Sequence, residues 1–124
     1  MAETIPPEQM AIYRATARQR QLQYETELVE RHRRAWEVAR QAGRLLKADF
    51  QAQRVVVFGS IITPTRFHER SDVDLAVWGL NERLYYRAVS RLLDLDPAIS
   101  VDLVEAEFAS PTLLAIIEQE GVLL

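Results

Sequence analysis

The sequence predicts an α/β (α+β) protein in which helices pack against a small mixed β-sheet. Short apolar segments at residues 54–58, 72–78 and 100–105 are typical of strands. Helical patterns occupy the segments before and between them. Because 48% of the 124 residues are hydrophobic, the chain can bury one core. The predicted three strands and four helices are too few for a full doubly wound sheet.

The first fifty residues are predicted to be mainly helical, after a disordered start at Met1 to Ile5. Pro6-Pro7 suits the first turn of a helix, where proline costs no hydrogen bond. The triplet Gln19-Arg20-Gln21 weakens the helical period, so residues 8–49 form one helix or two, and we favour one helix that projects beyond the core. An apolar stripe that should pack on the sheet comprises Leu28, Val29, His32, Ala35, Trp36, Ala39, Ala42, Leu46 and Phe50.

We divide the chain into an N-terminal helical extension, residues 1–40, and a main domain, residues 41–124. The projecting part of the extension is either an element that binds an oligomer partner or another protein, or a solvated arm. In the main domain, a helix at about 81–94 begins at the capping residue Asn81, and the last helix spans 111–120.

Composition and charge narrow the class of protein. The formal net charge of -3 gives no global attraction to nucleic acid, so no direct binding to nucleic acid is expected. The chain has no cysteine, which excludes disulfides and cysteine-based zinc sites. It has no signal-type apolar core and no run of about 18 apolar residues. We therefore expect a cytoplasmic protein that does not interact with a membrane.

Two carboxylates in the second strand give the strongest functional signal. Asp72 and Asp74 are two residues apart in an otherwise apolar segment, so they leave the strand on the same face. Like charges so close raise the pKa of one carboxyl unless a cation lies between them, and hard oxygen ligands prefer Mg²⁺ or Mn²⁺. Asp102, which has apolar neighbours in the third strand, is placed to join this cluster. The sequence thus predicts a site for a divalent metal ion.

Gly59-Ser60, which follows the first strand, is the expected phosphate-binding turn. Gly59 lacks a β-carbon, so its backbone can approach a ligand closely. The Ser60 hydroxyl can cap a following helix, whose free N–H groups attract anions. Since Mg²⁺ usually shares its carboxylates with substrate phosphates, the turn and the acidic residues are predicted to form one site.

This succession of strand, Gly-Ser, spacer, Ser71-Asp72-Val73-Asp74-Leu75, helix and Val101-Asp102-Leu103-Val104 resembles the minimal nucleotidyltransferase (MNT) domain of the DNA polymerase β superfamily. The resemblance covers residues 41–124 and implies the nucleotidyltransferase fold, which is like the polymerase β palm. The spacer Ile61 to Ser71 has eleven residues, whereas ten are usual in the family.

The resemblance also implies roles for individual residues. Asp72, Asp74 and Asp102 would be catalytic and would bind Mg²⁺, while Gly59 and Ser60 would bind ATP. MNT domains typically act as antitoxins against a HEPN ribonuclease toxin, so the implied activity is transfer of AMP from ATP to a toxin tyrosine. The alternative is an inactive MNT scaffold that neutralises its toxin by binding alone. A third, less favoured hypothesis is transfer of a nucleotide to a small molecule or an RNA end.

Several other polar residues are interpreted as structural or solvated, or have a functional role only as an alternative. Asp94 and Asp96 repeat the Asp-x-Asp spacing, but they lie at a helix end before a proline, and we expect no functional role for them. His32 is interpreted as a partly buried packing residue. Arg66 and Arg70 in the spacer either neutralise triphosphate charge or are simply solvated.

Overall fold

The computed structural model describes residues 4–124, so the disorder predicted for residues 1–3 lies outside the described part. The elements are α1 (Pro7–Phe50), β1 (Arg54–Phe58), β2 (Val73–Trp78), α2 (Tyr85–Leu93), β3 (Val101–Glu105), α3 (Pro111–Glu120) and β4 (Val122–Leu123). Short 3-10 helices span Gly59–Ile62, Glu82–Leu84 and Ala106–Phe108. The predicted α/β class and mixed sheet are confirmed.

The predicted number of elements is wrong. The described residues form four strands and three α-helices, not three strands and four helices. The additional strand, β4, has only two residues and no periodicity of its own. It forms because the chain end pairs antiparallel with β1, with Val122 opposite Val57 and the Leu124 N–H donating to the Val55 carbonyl at 2.9 Å.

All four strands form one sheet in the order β3-β2-β1-β4. β1 is antiparallel to β2 and β4, whereas β2 and β3 are parallel and are connected through α2. The register places Asp74 opposite Phe58 on β1 and opposite Asp102 on β3. The end of β1 and the beginnings of β2 and β3 therefore meet at the same end of the sheet.

Helices cover both faces of the sheet. On one face, Leu75 and Val77 of β2 belong to the core that α1 and α2 complete. On the other face, Ile117 of α3 packs against Ala76. Because alternate residues of a strand point to opposite sides, Asp74 lies on the α3 side of the sheet, away from α1.

α1 is one continuous helix of 44 residues, about 66 Å long, which confirms the prediction of a single projecting helix. Its C-terminal half packs on the sheet through the buried residues Ala35, Val38, Ala39, Ala42, Gly43, Leu46 and Phe50. The predicted stripe is wrong at Val29, which is 72% exposed because it lies on the side of α1 that faces away from the sheet. The division after residue 40 falls inside α1 and stays a prediction. Within residues 4–124, every helix is too short or too polar to span a membrane.

Candidate active site

Three carboxylates lie near one another at the end of the sheet where β2 and β3 begin. Asp74 and Asp102 are direct partners in the parallel register of these strands, so their side chains leave the same face. Asp72 lies immediately before β2, two residues from Asp74. Asp74 is partly buried, whereas Asp102 is exposed on the edge strand β3. The register thus brings together the three acidic residues that the sequence analysis selected.

The electrostatics of this cluster centre on Asp74. Burial raises the pKa of the Asp74 carboxyl to about 6, and the negative charges of Asp102 and Asp72 act in the same direction. No residue in the range 4–124 donates a hydrogen bond to these three carboxylates or forms an ion pair with them within 4 Å. The cluster therefore carries negative charge that the rest of the described chain does not neutralise.

Gly59 packs directly against this cluster. Its φ of +84° lies in the left-handed region that favours glycine, and a β-carbon at this position would lie 2.3 Å from Oδ2 of Asp74. Gly59 is thus required both by the turn and by the position of the carboxylate. The backbone of Gly59 thus approaches Asp74 closely, while its predicted approach to a bound phosphate stays a prediction.

The predicted capping role of Ser60 is wrong. No α-helix follows the turn, because Gly59–Ile62 is a four-residue 3-10 helix whose N-cap is Phe58, without a side-chain cap hydrogen bond. Such a turn is too short to present the aligned N–H groups of an α-helix N-terminus. Ser60 is partly exposed beside Gly59, at the end of β1.

α1 supports the same turn through His32. The Nε2 atom of His32 lies 2.7 Å from the carbonyl oxygen of Ile61, and the ring meets Phe67 edge-on at a centroid distance of 4.8 Å. His32 is partly buried. Its interpretation as a packing residue is therefore confirmed, and the contact ties the segment after Gly59 to α1.

Arg31 of α1 connects the two segments that lead into the acidic strands. Its Nη2 donates to the carbonyl of Ser71, the residue before Asp72, at 3.1 Å, and its Nη1 donates to the carbonyl of Ala98, just before β3, at 2.9 Å. Its Nε is buried without a hydrogen-bond partner in the described chain. Sequence analysis missed this residue, although its position three residues after Leu28 on the edge of the apolar stripe is an available signal.

Two other polar residues that the sequence singled out, Asp96 and Arg66, form contacts with distant segments. Asp96 accepts hydrogen bonds from Arg34 at 2.6 Å and from the Ala98 N–H at 2.8 Å, and these contacts hold the pKa of its carboxyl below the usual value. Asp96 therefore ties α1 to the segment that follows α2. Arg66 is exposed, and its Nη1 lies 3.7 Å from Oε2 of Glu120 of α3, so a contact of Arg66 with phosphate stays a prediction.

The acidic residues fit a metal ion that is bound together with a substrate. Within residues 4–124, no group of three His, Cys, Asp or Glu side chains is close enough to enclose a metal ion by itself. Mg²⁺ does not require such a cage, because it usually takes one or two carboxylates and completes its shell with water and phosphate oxygens. Asp72, Asp74 and Asp102 supply oxygen donors of this kind on one open face.

Comparison with known proteins agrees with the fold. Residues 40–124 match the model of the family described as Polymerase beta, Nucleotidyltransferase. The chain therefore belongs to the polymerase β nucleotidyltransferase family. The resemblance noted in the sequence is confirmed. No curated protein matches the chain significantly.

Solved structures include several similar chains. One, described as a minimal nucleotidyltransferase, is 32% identical, with 68% of this chain and 88% of that chain covered and a TM-score of 0.55. A chain of a toxin–antitoxin crystal structure with AMP-PNP is 26% identical, with 67% and 69% covered and a TM-score of 0.56. A chain from the complex of tri-AMPylated Shewanella oneidensis HEPN toxin with MNT antitoxin is 22% identical, with 72% and 70% covered and a TM-score of 0.54, and it shows the fold alone.

Proposed function

We propose that this protein is a Mg²⁺-dependent nucleotidyltransferase that acts as an antitoxin by transferring AMP from ATP to a tyrosine of a HEPN ribonuclease toxin. The observation that carries the proposal is the parallel register of Asp74 with Asp102, which, with Asp72 alongside, leaves three unneutralised carboxylates beside a glycine turn. Membership of the nucleotidyltransferase family supports the reaction class. The toxin, the antitoxin and the AMP groups of the similar structures support the partner and the transferred group.

Each acidic residue has a distinct role in this proposal. Bound Mg²⁺ would neutralise the triphosphate and stabilise the leaving pyrophosphate. Asp72 and Asp74 would hold the metal ions, and the raised pKa of Asp74 fits a carboxyl that gains from a nearby positive charge. Asp102, exposed on the edge strand, would hold metal and accept the proton of the tyrosine hydroxyl as its oxygen bonds to the α-phosphorus and pyrophosphate departs. Gly59 and Ser60 would contact the phosphates.

The test is mass spectrometry of the HEPN toxin encoded beside this chain, after incubation with the purified protein, ATP and Mg²⁺. We expect the toxin to gain the mass of one AMP group per transfer. Asp72→Asn and Asp74→Asn should abolish the gain while the circular dichroism spectrum is unchanged, since each removes a metal ligand and keeps the shape of the side chain. Asp94→Asn is the matched control, because Asp94 is an exposed carboxyl at the end of α2.

An inactive scaffold is the second candidate. The short 3-10 turn after β1, in place of a helix N-terminus, favours it, because the turn offers fewer N–H groups to a triphosphate. A toxin that is silenced by the protein but remains unmodified, with Asp74→Asn silencing it equally well, would identify the scaffold. Loss of silencing in Asp74→Asn would identify the enzyme.

A further inference from the structure

The side of α1 that faces away from the sheet carries a second, unpartnered apolar stripe. Its apolar members are Ile12, Ala15, Leu22 and Val29, and the polar Gln19 and Thr26 occupy the two positions between them, so that the steps alternate between three and four residues as in a heptad seam; we call this row the α1 seam. Ile12, Leu22 and Val29 are 62%, 58% and 72% exposed. Three large apolar side chains in one row on a helix are the pattern of a surface that packs against another helix.

We propose that the occupant of the α1 seam is the same seam of a second copy of this chain, arranged antiparallel. The spacing is self-complementary in that direction. When Ile12 lies opposite Val29 of the second copy, Ala15 lies opposite Thr26 and Gln19 lies opposite Leu22, and the two-fold axis repeats each layer. The two most exposed large apolar side chains of the seam, Ile12 and Val29, therefore cover each other at its ends.

The charges at the edges of the seam favour the same arrangement. In the antiparallel register, Glu8 faces Arg33 of the second copy, and Arg18 lies on the same flank as Glu25 of the second copy. A parallel pair would instead place Glu8 beside Glu8 and Arg33 beside Arg33, and would bring Glu25 close to Glu30. Exposed pairs add little affinity, but unfavourable like-charge contacts decide orientation.

The rest of the molecule leaves room for this pairing. The α1 seam lies opposite the residues, such as Ala39 and Leu46, through which α1 packs on the sheet. Two paired chains would therefore carry their sheets on opposite outer sides. Asp74 faces away from α1 and would stay accessible in both copies. The dimer therefore does not cover the acidic site, and its formation is independent of the proposed transferase activity.

Sedimentation equilibrium of the full-length protein alone tests the proposal. We expect a reversible dimer of twice the 14.3 kDa chain mass. Leu22→Glu should weaken the dimer about a hundredfold, because it places a carboxylate in each of the two central layers, where Leu22 meets Gln19 of the second copy. Tyr13→Glu is the control, since Tyr13 is 55% exposed on the same arm but lies outside the seam, and it should leave the dimer unchanged.

A charge exchange tests the orientation without touching the apolar layers. Arg18→Glu alone should weaken the dimer, because the introduced carboxylate would meet Glu25 of the second copy. Combining Arg18→Glu with Glu25→Arg should restore the dissociation constant of the parent dimer. In the same way, the double variant Ile12→Cys with Val29→Cys should form an intermolecular disulfide, whereas either single variant should not. The chain has no cysteine that would interfere.

Four results would overturn the proposal. The first is a monomer at every concentration up to the millimolar range. The second is a dimer that Leu22→Glu leaves intact, which would locate the interface elsewhere. The third is efficient cross-linking of the single Val29→Cys variant, which indicates a parallel pair. Binding of a different protein to the seam of a monomeric chain would likewise contradict it.

Discussion

A β-carbon at Gly59 would lie 2.3 Å from Oδ2 of Asp74, so the glycine turn and the central carboxylate cannot be changed independently. Gly59→Ala should destabilise the protein by about 1 to 2 kcal/mol, because it adds this clash to a φ of +84°. It should also displace Asp74 and weaken binding of ATP with Mg²⁺. Urea unfolding and calorimetry measure the two effects.

Gly79→Ala is the matched control for that variant. Gly79 has a φ of +75°, and its added β-carbon would meet Cγ of Gln53 at 2.6 Å, on a flexible side chain remote from the acidic residues. A similar loss of stability without a loss of nucleotide binding is expected. Equal binding losses in both variants would contradict a specific link between Gly59 and Asp74.

The stability of the metal-free protein should fall as the Asp74 carboxyl ionises. Because its pKa is raised to about 6 in the folded chain, the stabilising effect of its proton is complete below the unfolded value near 4 and is lost as the pH rises through about 6. Asp74→Asn should therefore match the parent at pH 4 and exceed it by about 1 to 2 kcal/mol above pH 7, allowing for solvent screening. Denaturation with EDTA present measures this difference.

Asp96→Asn should show the opposite dependence on pH. The Ala98 N–H and Arg34 lower the pKa of Asp96, so its contribution to stability is present above the unfolded pKa and is lost as the pH falls. The variant should be less stable than the parent at pH 7 and approach it in acid. A common trend for Asp74→Asn and Asp96→Asn would mean that the charge cluster does not act on Asp74.

Binding of divalent metal should depend on the same ionisation. A proton on Asp74 competes with the ion, so the affinity for Mn²⁺ should fall below pH 6, by roughly tenfold per pH unit at the limit. Titration calorimetry at pH 5, 6 and 7.5 in buffers of different ionisation enthalpy would also detect the released proton. An affinity that is unchanged between pH 5 and 7.5 would place the ion away from Asp74.

Removal of the Arg31 guanidinium should loosen both strands that carry acidic residues. Arg31→Leu leaves the Ser71 and Ala98 carbonyls without their donor and should cost about 2 to 3 kcal/mol of stability. Arg31→Lys keeps one donor group, so its stability should lie between those of Arg31→Leu and the parent. Mn²⁺ affinity should fall in the same order, because Asp72 and Asp102 follow the two carbonyls along the chain.

The control for Arg31 is Arg33→Gln. The Arg33 side chain is 61% exposed, and its ion pairs with Glu30 and Glu37 lie within the surface of α1. The loss of stability should be small beside that of Arg31→Leu, because exposed ion pairs contribute little, and metal affinity should not change. If Arg31→Leu behaved like Arg33→Gln, the contacts of Arg31 would have no part in holding the strands.

The sequence alone was sufficient to locate β1, β2 and β3 and the acidic residues near them, because these depend on local rules. Alternation in a strand places Asp72 and Asp74 on one side regardless of the rest of the fold. The bounds of β1, Arg54–Phe58, and of α3, Pro111–Glu120, follow from apolar runs and from capping or proline signals at their ends. These features were predicted correctly for that reason.

Only the tertiary structure decided what depends on contacts between distant segments. The pairing of β4 with β1, the position of Asp102 directly beside Asp74, and the bridge from Arg31 to two separate carbonyls all join residues far apart in the chain. No periodic pattern encodes such pairings. The turn after Gly59 became a 3-10 helix because the packing of Ile61 in the core, and not the capping preference of Ser60, sets its course. Local physics thus supplied the elements and their chemistry, and packing decided which of them meet.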